Sequence, residues 1–494
     1  MKKTLIYKTV ALLPLVGLIS CVNELDVETS LIQQPTTQIE VNANPHHIEL
    51  SEAIDNMYAF MDEVGFDQTR GHERGKWHVL KVKLSDLKGH TRNTNTEDTE
   101  ALYVVNFEDN NGFAVLAADD RMADPVIAMS TNGNLEFEPK PREDMENELT
   151  REDLLVIEDN DYMLGALGED EFISGLITNY STNHNTWTDS LRDNTDEFGD
   201  PILPPLNPID YHTEGVTSLN YPALLTTEWS QGYPFNYFCP KRYYRRILGV
   251  TTSFIEDFDY AGSYHYARST KTGCVATAVA QIIAYHEYPS TSEIIETTLP
   301  VSSWQELKAI DWDNYPTTNV DSLEAVRRNH IARIMRKIGD GCDMWYGFWD
   351  LCSFTTPQKA ASYLSSLGYY GVVKHTDYNS AKVKECISTG RPVFMGAISG
   401  LVNGHAWVID GYKEIEWYRV GEQDDVEVSR TYTSTSKYVH CNWGWGGLAN
   451  GWFVSGALDV SNAYSYDNGQ GCSDESNYDF WMRMVTYEWP NVNY

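Results

Sequence analysis

The sequence has few basic residues and a large excess of acidic ones. Its 494 residues include 37 Lys and Arg against 71 Asp and Glu, which gives a formal net charge of -34. We therefore expect no nucleic-acid partner, because binding to phosphates needs a positively charged surface. The acidic excess is concentrated in residues 1–215, which carry 41 acidic and 15 basic residues. This unequal distribution indicates two functional units.

Long apolar segments and metal-binding cysteine pairs are also missing. After residue 20 no apolar run is long enough to span a membrane. The eight cysteines include no CxxC pair, so the spacing does not suggest zinc, and we expect no cofactor. Apart from Cys21 and Cys274, six cysteines remain that an exported protein could pair, and the sequence does not say which.

Residues 1–20 have the pattern of an export signal. Lys2 and Lys3 precede an apolar run that ends at Ile19 and is too short to span a membrane. The following Ser-Cys, with Cys21, resembles the lipobox of bacterial lipoproteins, in which the cysteine is lipidated. The alternative is an ordinary secretory signal with a chance cysteine. A lipidated chain would be held at the bacterial cell envelope, on the outer membrane or cell surface, with or without release after processing.

The next three segments differ in composition. Residues 21–45 are rich in Thr, Gln and Asn and are predicted to form a tether. Residues 46–185 combine helical periodicity near both ends with strand-like runs and a hairpin signal, which predicts a small α+β domain with one antiparallel sheet. Residues 186–223 are loop-like and contain several prolines, so we predict an exposed linker where proteases cut.

Residues 224–494 are predicted to form a second α+β domain. Helical segments come first, at 273–286, 324–338 and 357–366, and strand-like segments follow after Pro392. Cys274 lies on the first of these helices, whereas His405 lies in the β half. A helical half followed by a β half places a site in the cleft between them.

A thiol, an imidazole and an amide follow each other in an order that suits cysteine-based hydrolysis. Cys274 stands at the predicted start of a helix, where unpaired N–H groups favour a thiolate, and Gly273 allows close approach of a substrate backbone. His405, 131 residues downstream, is the predicted base. Asn442 is expected to accept a hydrogen bond from the other imidazole nitrogen, and Trp443 to shield that bond from water.

The developing oxyanion of acyl transfer needs hydrogen-bond donors. The backbone N–H of Cys274 is one, and the amide of Gln231 is the predicted second, because it adds no charge beside the thiolate. His286 is a competing base, but twelve residues along the same helix place it about 18 Å from Cys274, so we reject it. Each residue alone has an ordinary structural explanation. The prediction therefore depends on their joint order and spacing.

These segments together resemble the streptopain family of papain-like bacterial cysteine proteases. The similar segments are Gly-Cys-Val-Ala-Thr-Ala from Gly273, Gly-His-Ala-Trp-Val-Ile-Asp-Gly from Gly404, Asn-Trp-Gly-Trp-Gly-Gly from Asn442, and Trp-Ser-Gln ending at Gln231. The similarity covers roughly residues 224–494. Upstream, Gly-Phe-Ala-Val-Leu-Ala-Ala-Asp-Asp from Gly112 resembles the propeptide of these zymogens.

The resemblance implies a papain-like fold, protein or peptide substrates, and residues 46–185 as an intramolecular inhibitor. It implies roles for six residues: Cys274 as nucleophile, His405 as base, Gln231 as oxyanion donor, Asn442 and Trp443 as orienting and shielding residues, and Gly404 as lining for the substrate backbone. After Gly347 the family has small residues, whereas the segment from Phe348 to Ser353 is bulky here. We therefore do not carry over a substrate preference.

Two other functions stay open at this point. The first is a surface-exposed binding lipoprotein that keeps a protease fold without activity, although every expected site position is filled. The second is an amidase or transglutaminase, which would use the same thiol chemistry on a small amide. Peptide hydrolysis after export, with Cys274 as the nucleophile of a zymogen, is the function that the sequence favours.

Overall fold

The computed structural model describes most of the two predicted domains. The described residues are 46–65, 76–88, 100–137, 169–182, 210–247, 250–256, 266–312, 315–316, 321–347, 352–399, 403–423, 426–458 and 481–488. The predicted export signal, Cys21, the tether, the first part of the linker and the segment 348–351 lie outside them. No helix in the described parts of the chain is long and apolar enough to cross a membrane.

The first described region is an antiparallel meander with helices packed against it. Its elements are α1 (Leu50–Val64), β1 (Trp77–Lys83), α2 (Leu84–Lys88), β2 (Glu100–Phe107), β3 (Phe113–Ala117), β4 (Val126–Ser130) and α3 (Glu169–Thr182). The four strands pair in chain order. Every residue of β3 and β4 is buried, so the meander has neighbours on both faces.

The turn between β2 and β3 matches the hairpin signal in the sequence. Asp109 and Asn110 have φ values of 60° and 57°, a left-handed conformation that Asn and Asp tolerate better than most residues. Gly112 follows with a φ of 111°, and a Cβ there would collide with the carbonyl oxygen of Ser130. Glycine therefore permits β3 to approach the end of β4.

The second region holds helices before most of its long strands. The helices are α4 (Cys274–His286), α5 (Thr291–Ile294), α6 (Trp304–Lys308), α7 (Ser322–Gly341), α8 (Pro357–Ser366) and α9 (Ser380–Ser388). The strands are β5 (Asp210–Tyr221), β6 (Lys241–Ile247), β7 (Val250–Glu256), β8 (Tyr266–Ser269), β9 (Tyr370–His375), β10 (Val393–Ser399), β11 (Asn403–Gln423), β12 (Val426–Asn442), β13 (Gly451–Val454) and β14 (Trp481–Glu488). Helices with an antiparallel sheet confirm the predicted α+β class.

One sheet runs through both predicted domains. Its order is β1-β2-β3-β4-β13-β12-β11-β10-β14-β9, while β6, β7 and β8 form a separate small sheet. The two regions join where β4 pairs with β13, with Gly451 opposite Ser130 and Phe453 opposite Ala128. The boundaries of the predicted domains stay a prediction. The continuous pairing means that separating the two regions would expose the edges of β4 and β13.

The structure differs from the sequence prediction at residues 210–221. The sequence predicts a loop, but these residues form β5, which pairs antiparallel with β11 from Asp210 opposite Glu422 to Tyr221 opposite Tyr412. The N–H of Thr217 also donates to the Glu63 carboxylate on α1 at 2.8 Å. The polar composition of β5 hides the strand, because its stability comes from a partner about two hundred residues away in the chain.

The two faces of β11 contact different parts of the core. Ala406 and Val408 pack with the apolar face of α4, whereas Trp407 and Ile409 join the core that contains β1 to β4 and α3. Successive side chains of a strand point to opposite faces. His405 therefore lies on the face of Trp407, toward α3.

Candidate active site

Cys274 is the first residue of α4, as the sequence predicts. Residues from Cys274 to Ala284 are all buried, so the helix is central to its domain. Gly273 precedes it with a φ of 91°, and a Cβ there would collide with the Cε of Met344. Packing and backbone conformation thus require glycine at this position. The sequence by itself indicates another reason for this glycine, the close approach of a substrate backbone.

Burial favours the neutral form of the Cys274 thiol. Burial raises the pKa of Cys274 to about 12, although the N–H groups of Ala406, Val275 and Cys274 itself act in the opposite direction. These N–H groups and the start of α4 are the features that would stabilise a thiolate once water reaches the site. In the described state, burial outweighs them.

The imidazole of His405 is buried, which favours its neutral form. Its Nε2 lies 2.8 Å from the carbonyl oxygen of Trp443, while Nδ1 is buried with no hydrogen-bond partner among the described residues. A carbonyl oxygen only accepts, so Nε2 carries the proton and Nδ1 is the basic nitrogen. Burial lowers the pKa of His405 to about 3, and the bond to Trp443 offsets part of this effect.

Aromatic rings surround His405. The imidazole stacks on Trp445 with ring centroids 4.6 Å apart, and it lies parallel to Trp407 at 6.3 Å. Phe172 on α3 meets it edge-on at 5.4 Å. The sequence predicts no role for these three residues. Trp445 stands in a repeated Trp-Gly pattern that was a usable signal, whereas nothing in the sequence around Phe172 indicates this distant contact.

The structure differs from the predicted role of Asn442. Its Oδ1 accepts from Nε2 of Gln281 at 3.1 Å, and its Nδ2 donates to the carbonyl oxygen of Thr227 at 2.7 Å. His405 instead donates to the main chain of Trp443. The reason lies in strand register: Asn442 pairs with Val408, and directly paired residues share a face, so Asn442 points toward α4 while His405 points away from it.

Trp443 lies beside His405, with ring centroids 6.3 Å apart, and its predicted shielding role stays a prediction. Its ring is fully buried and packs against Trp407 at 5.1 Å and Phe453 at 5.1 Å. Its indole N–H donates to the carbonyl oxygen of Ala449 at 3.0 Å. The residue therefore contributes two groups to the site: an apolar ring and the carbonyl that accepts from His405.

Gln231 lies next to the start of α4. Its carbonyl oxygen accepts from the N–H of Thr272 at 3.1 Å, two residues before Cys274, and its side chain is mostly buried. Gly404 is buried in β11 opposite Ile398, directly before His405. Gln231 thus lies at the start of α4 and Asn442 contacts Gln281 on the same helix, whereas Cys21 lies outside the described residues.

His286 lies at the opposite end of α4, which agrees with its rejection as a base. Its Nε2 is 2.8 Å from the hydroxyl of Tyr487. Burial lowers the pKa of His286 to about 4. Within the described ranges, no group of His, Cys, Asp and Glu side chains could hold a metal ion.

Both regions are similar to known protein families. Residues 229–453 match the Peptidase C10 family, and residues 52–150 match the family described as Spi protease inhibitor. The first match spans the segments that carry Gln231, Cys274, His405 and Asn442. The second spans α1 and the meander of β1 to β4.

Individual relatives have limited identity to this chain. Streptopain of Streptococcus pyogenes is 26% identical over 291 residues, a match that covers 55% of this chain and 64% of streptopain, which is less than two thirds of its length. The thiol protease/hemagglutinin PrtT of Porphyromonas gingivalis is 23% identical over 393 residues, covering 76% of this chain and 36% of PrtT. A solved fragment of Prevotella intermedia prointerpain A has 18% identity, a TM-score of 0.38, and coverage of 84% of this chain and 100% of its own.

Proposed function

We propose, from the premise that residues 229–453 belong to the Peptidase C10 family, that this chain is a cysteine endopeptidase made as a zymogen. The region of residues 46–185, which contains the match to Spi protease inhibitor, is its intramolecular inhibitor. The observation that carries the proposal is the contact between the two: Phe172 on α3 touches the imidazole of His405, and the N–H of the neighbouring Ala406 acts on the thiol of Cys274 at the start of α4.

His405 lies on the face of β11 away from α4 in the described state, so activation moves the imidazole toward the start of α4, where its Nδ1 takes the proton of the Cys274 thiol. The thiolate then attacks the carbonyl carbon of a peptide bond, and the resulting oxyanion accepts hydrogen bonds from the N–H of Cys274 and the amide of Gln231. The imidazolium returns its proton to the leaving amine, and water hydrolyses the acyl-enzyme with His405 again as base. The Trp443 carbonyl and the face of Trp445 stabilise the imidazolium.

The described state supports latency rather than activity. Between the pKa values of about 3 for His405 and about 12 for Cys274, the imidazole and the thiol are both neutral. Burial is the main cause of both shifts. Removing α3 would admit water to His405, which raises the pKa of the imidazole and lowers that of the thiol. Release of the inhibitory region therefore favours the thiolate–imidazolium pair.

Hydrolysis of casein under reducing conditions tests the proposed function. We expect the matured protein to produce new peptide termini, detected by mass spectrometry, and pretreatment with an epoxysuccinyl alkylating agent to remove this activity. Release of ammonia from small amides without peptide cleavage would favour the amidase alternative. Absence of both reactions in a correctly folded, matured sample would favour the inactive binding lipoprotein.

Export and lipid anchoring are a separate part of the proposal. They rest on the sequence of residues 1–21 alone, which lies outside the described residues. We propose that Cys21 carries a lipid that holds the chain at the bacterial cell envelope. Expressed in a bacterium with lipoprotein processing, the wild-type chain should enter the detergent phase of a phase-partition assay, and Cys21→Ala should stay in the aqueous phase. Equal partitioning of the two would remove the anchor from the proposal.

A further inference from the structure

Gln281 is a fully buried polar residue on the mostly apolar helix α4. It follows Cys274 by seven residues, about two helical turns, so the two side chains lie on the same side of the helix. Its exposed fraction is 0%. A buried amide is unfavourable unless its oxygen and nitrogen both have hydrogen-bond partners. The partners of Gln281 therefore indicate what it does.

The Gln281 amide joins three distant segments. Its Oε1 accepts from the hydroxyl of Thr227 at 2.9 Å and from the N–H of Trp229 at 3.4 Å, and its Nε2 donates to Oδ1 of Asn442 at 3.1 Å. Asn442 in turn donates to the carbonyl oxygen of Thr227 at 2.7 Å. These bonds close a ring through Thr227, Gln281 and Asn442, all of them buried.

Asn442, one member of this ring, orients the carbonyl group that accepts the hydrogen bond of His405. The Oδ1 atom of Asn442 accepts from the N–H of Gly444 as well, at 3.2 Å, so the Asn442 side chain spans Trp443. The Trp443 carbonyl between them accepts from Nε2 of His405 at 2.8 Å. Holding the residues before and after Trp443 fixes the direction of that carbonyl.

Gln281 also positions the segment that carries Gln231. Trp229, whose N–H donates to Gln281, lies two residues before Gln231. The carbonyl oxygen of Trp229 also accepts from the N–H of Gly446 at 3.2 Å. The oxyanion segment and the turn after Asn442 are therefore both attached to α4 and to each other.

We propose that Gln281 is a positioning residue for peptide hydrolysis: through Asn442 it orients the Trp443 carbonyl that holds His405, and through Trp229 it places the segment of Gln231. This inference rests on the proposed function. Gln281 itself touches no substrate, so its loss should change the catalytic step and leave substrate binding nearly unaltered. A purely structural amide would affect stability alone.

Two variants test this role. Each protein is matured by an added serine protease, which is then inhibited. The concentration of active sites is measured by titration with an epoxysuccinyl inhibitor. For Gln281→Leu we expect kcat on a peptide substrate to fall on the order of tenfold or more, with KM within about twofold. The alkaline limb of the kcat/KM profile should move down by about one pH unit, because the imidazolium loses an oriented acceptor.

Gln281→Glu gives a matched readout with nearly the same shape. Burial raises the pKa of a carboxyl group, and the protonated form can donate to Asn442 as the amide does. Its activity should therefore approach that of the wild type at acid pH and fall as the carboxyl ionises. This variant also tests the role if Gln281→Leu does not fold.

Thr486→Val is the control, because Thr486 is buried and its hydroxyl forms a partly buried hydrogen bond with His375 on β9, away from the site. It should lower the melting temperature and keep the wild-type kcat and pH profile. Wild-type kcat and pH profiles in both Gln281 variants would overturn the positioning role while leaving the protease proposal intact. A matured wild type without thiol-dependent hydrolysis would overturn both.

Discussion

Cys274→Ala is expected to leave the chain at full length, while the wild-type protein trims itself under reducing conditions. The variant keeps the buried start of α4 but has no nucleophile, so any residual cleavage should be at least about 10³-fold slower. Gel electrophoresis over time, with reducing agent added at zero time, measures this difference. Both proteins need purification from a host without homologous proteases, so that only self-cleavage is observed.

Cys386→Ala is the matched control for this experiment. Cys386 is another buried cysteine, on α9, and it takes no part in the site. Its alanine variant should trim itself like the wild type. Equal trimming of wild type and Cys274→Ala in pure preparations would show that self-maturation does not use this thiol.

The trimmed product should begin before Asp210. The predicted linker runs from 186 to 223, but β5 pairs along its length with β11, which protects residues 210–221 from proteolysis. N-terminal sequencing of the mature form locates the cut. A mature N-terminus after Tyr221 would mean that β5 leaves with the inhibitory region.

Phe172→Ala is expected to relieve latency in the uncut zymogen. Truncating a buried phenylalanine costs about 3–5 kcal/mol, which corresponds to a packing of α3 on the site that is weaker by about 10²- to 4 × 10³-fold. Phe172 also packs on Trp407 at 5.5 Å and Trp443 at 5.8 Å, so its loss opens the whole aromatic surround of His405 to water. The rate at which iodoacetamide alkylates Cys274 measures the change, since the thiolate is the reactive form.

The pH dependence of Cys274 alkylation distinguishes the wild-type zymogen from Phe172→Ala. In the wild-type zymogen, burial raises the pKa of Cys274 to about 12, so alkylation should stay slow at pH 7 and still increase above pH 9. In Phe172→Ala, hydration lowers the thiol pKa and raises that of His405, so alkylation should begin at lower pH. The shift should resemble the one produced by removing the inhibitory region altogether.

Ile177→Ala tests whether any loss of packing on α3 has the same effect. Ile177 is buried on the same helix, and its truncation should weaken α3 without removing the ring that touches His405. We expect a smaller rise in alkylation rate than for Phe172→Ala. If Phe172→Ala alkylates with the rate and pH dependence of the wild type, contact with Phe172 does not keep the site latent.

The parts of the site that were predictable are those encoded by short segments. The start of α4 at Cys274 follows from a glycine before a run of small and apolar residues, and the hairpin before β3 follows from its Asp-Asn-Asn-Gly turn. Both depend on local backbone preferences, which a sequence displays directly. The order of thiol, imidazole and amide can also be read from the sequence, because it needs only the identity of each residue.

The predictions that failed depend on contacts between distant segments. The sequence predicts a loop where β5 forms, because the partner strand β11 lies far along the chain. Asn442 was expected to orient His405, but strand register sends their side chains to opposite faces of the sheet. No local pattern encodes that register, because it is set by pairing between strands and by what each face packs against.

The sequence by itself determined which chemical groups this protein carries, and that a cysteine at a helix start precedes a histidine, an asparagine and a tryptophan. Only the tertiary structure decided which groups meet: the main chain of Trp443 with His405, Gln281 with Asn442, and Phe172 with the imidazole. It also decided their charge states, because the neutral thiol and imidazole result from burial. Burial is a property of packed surfaces, to which residues from every part of the chain contribute.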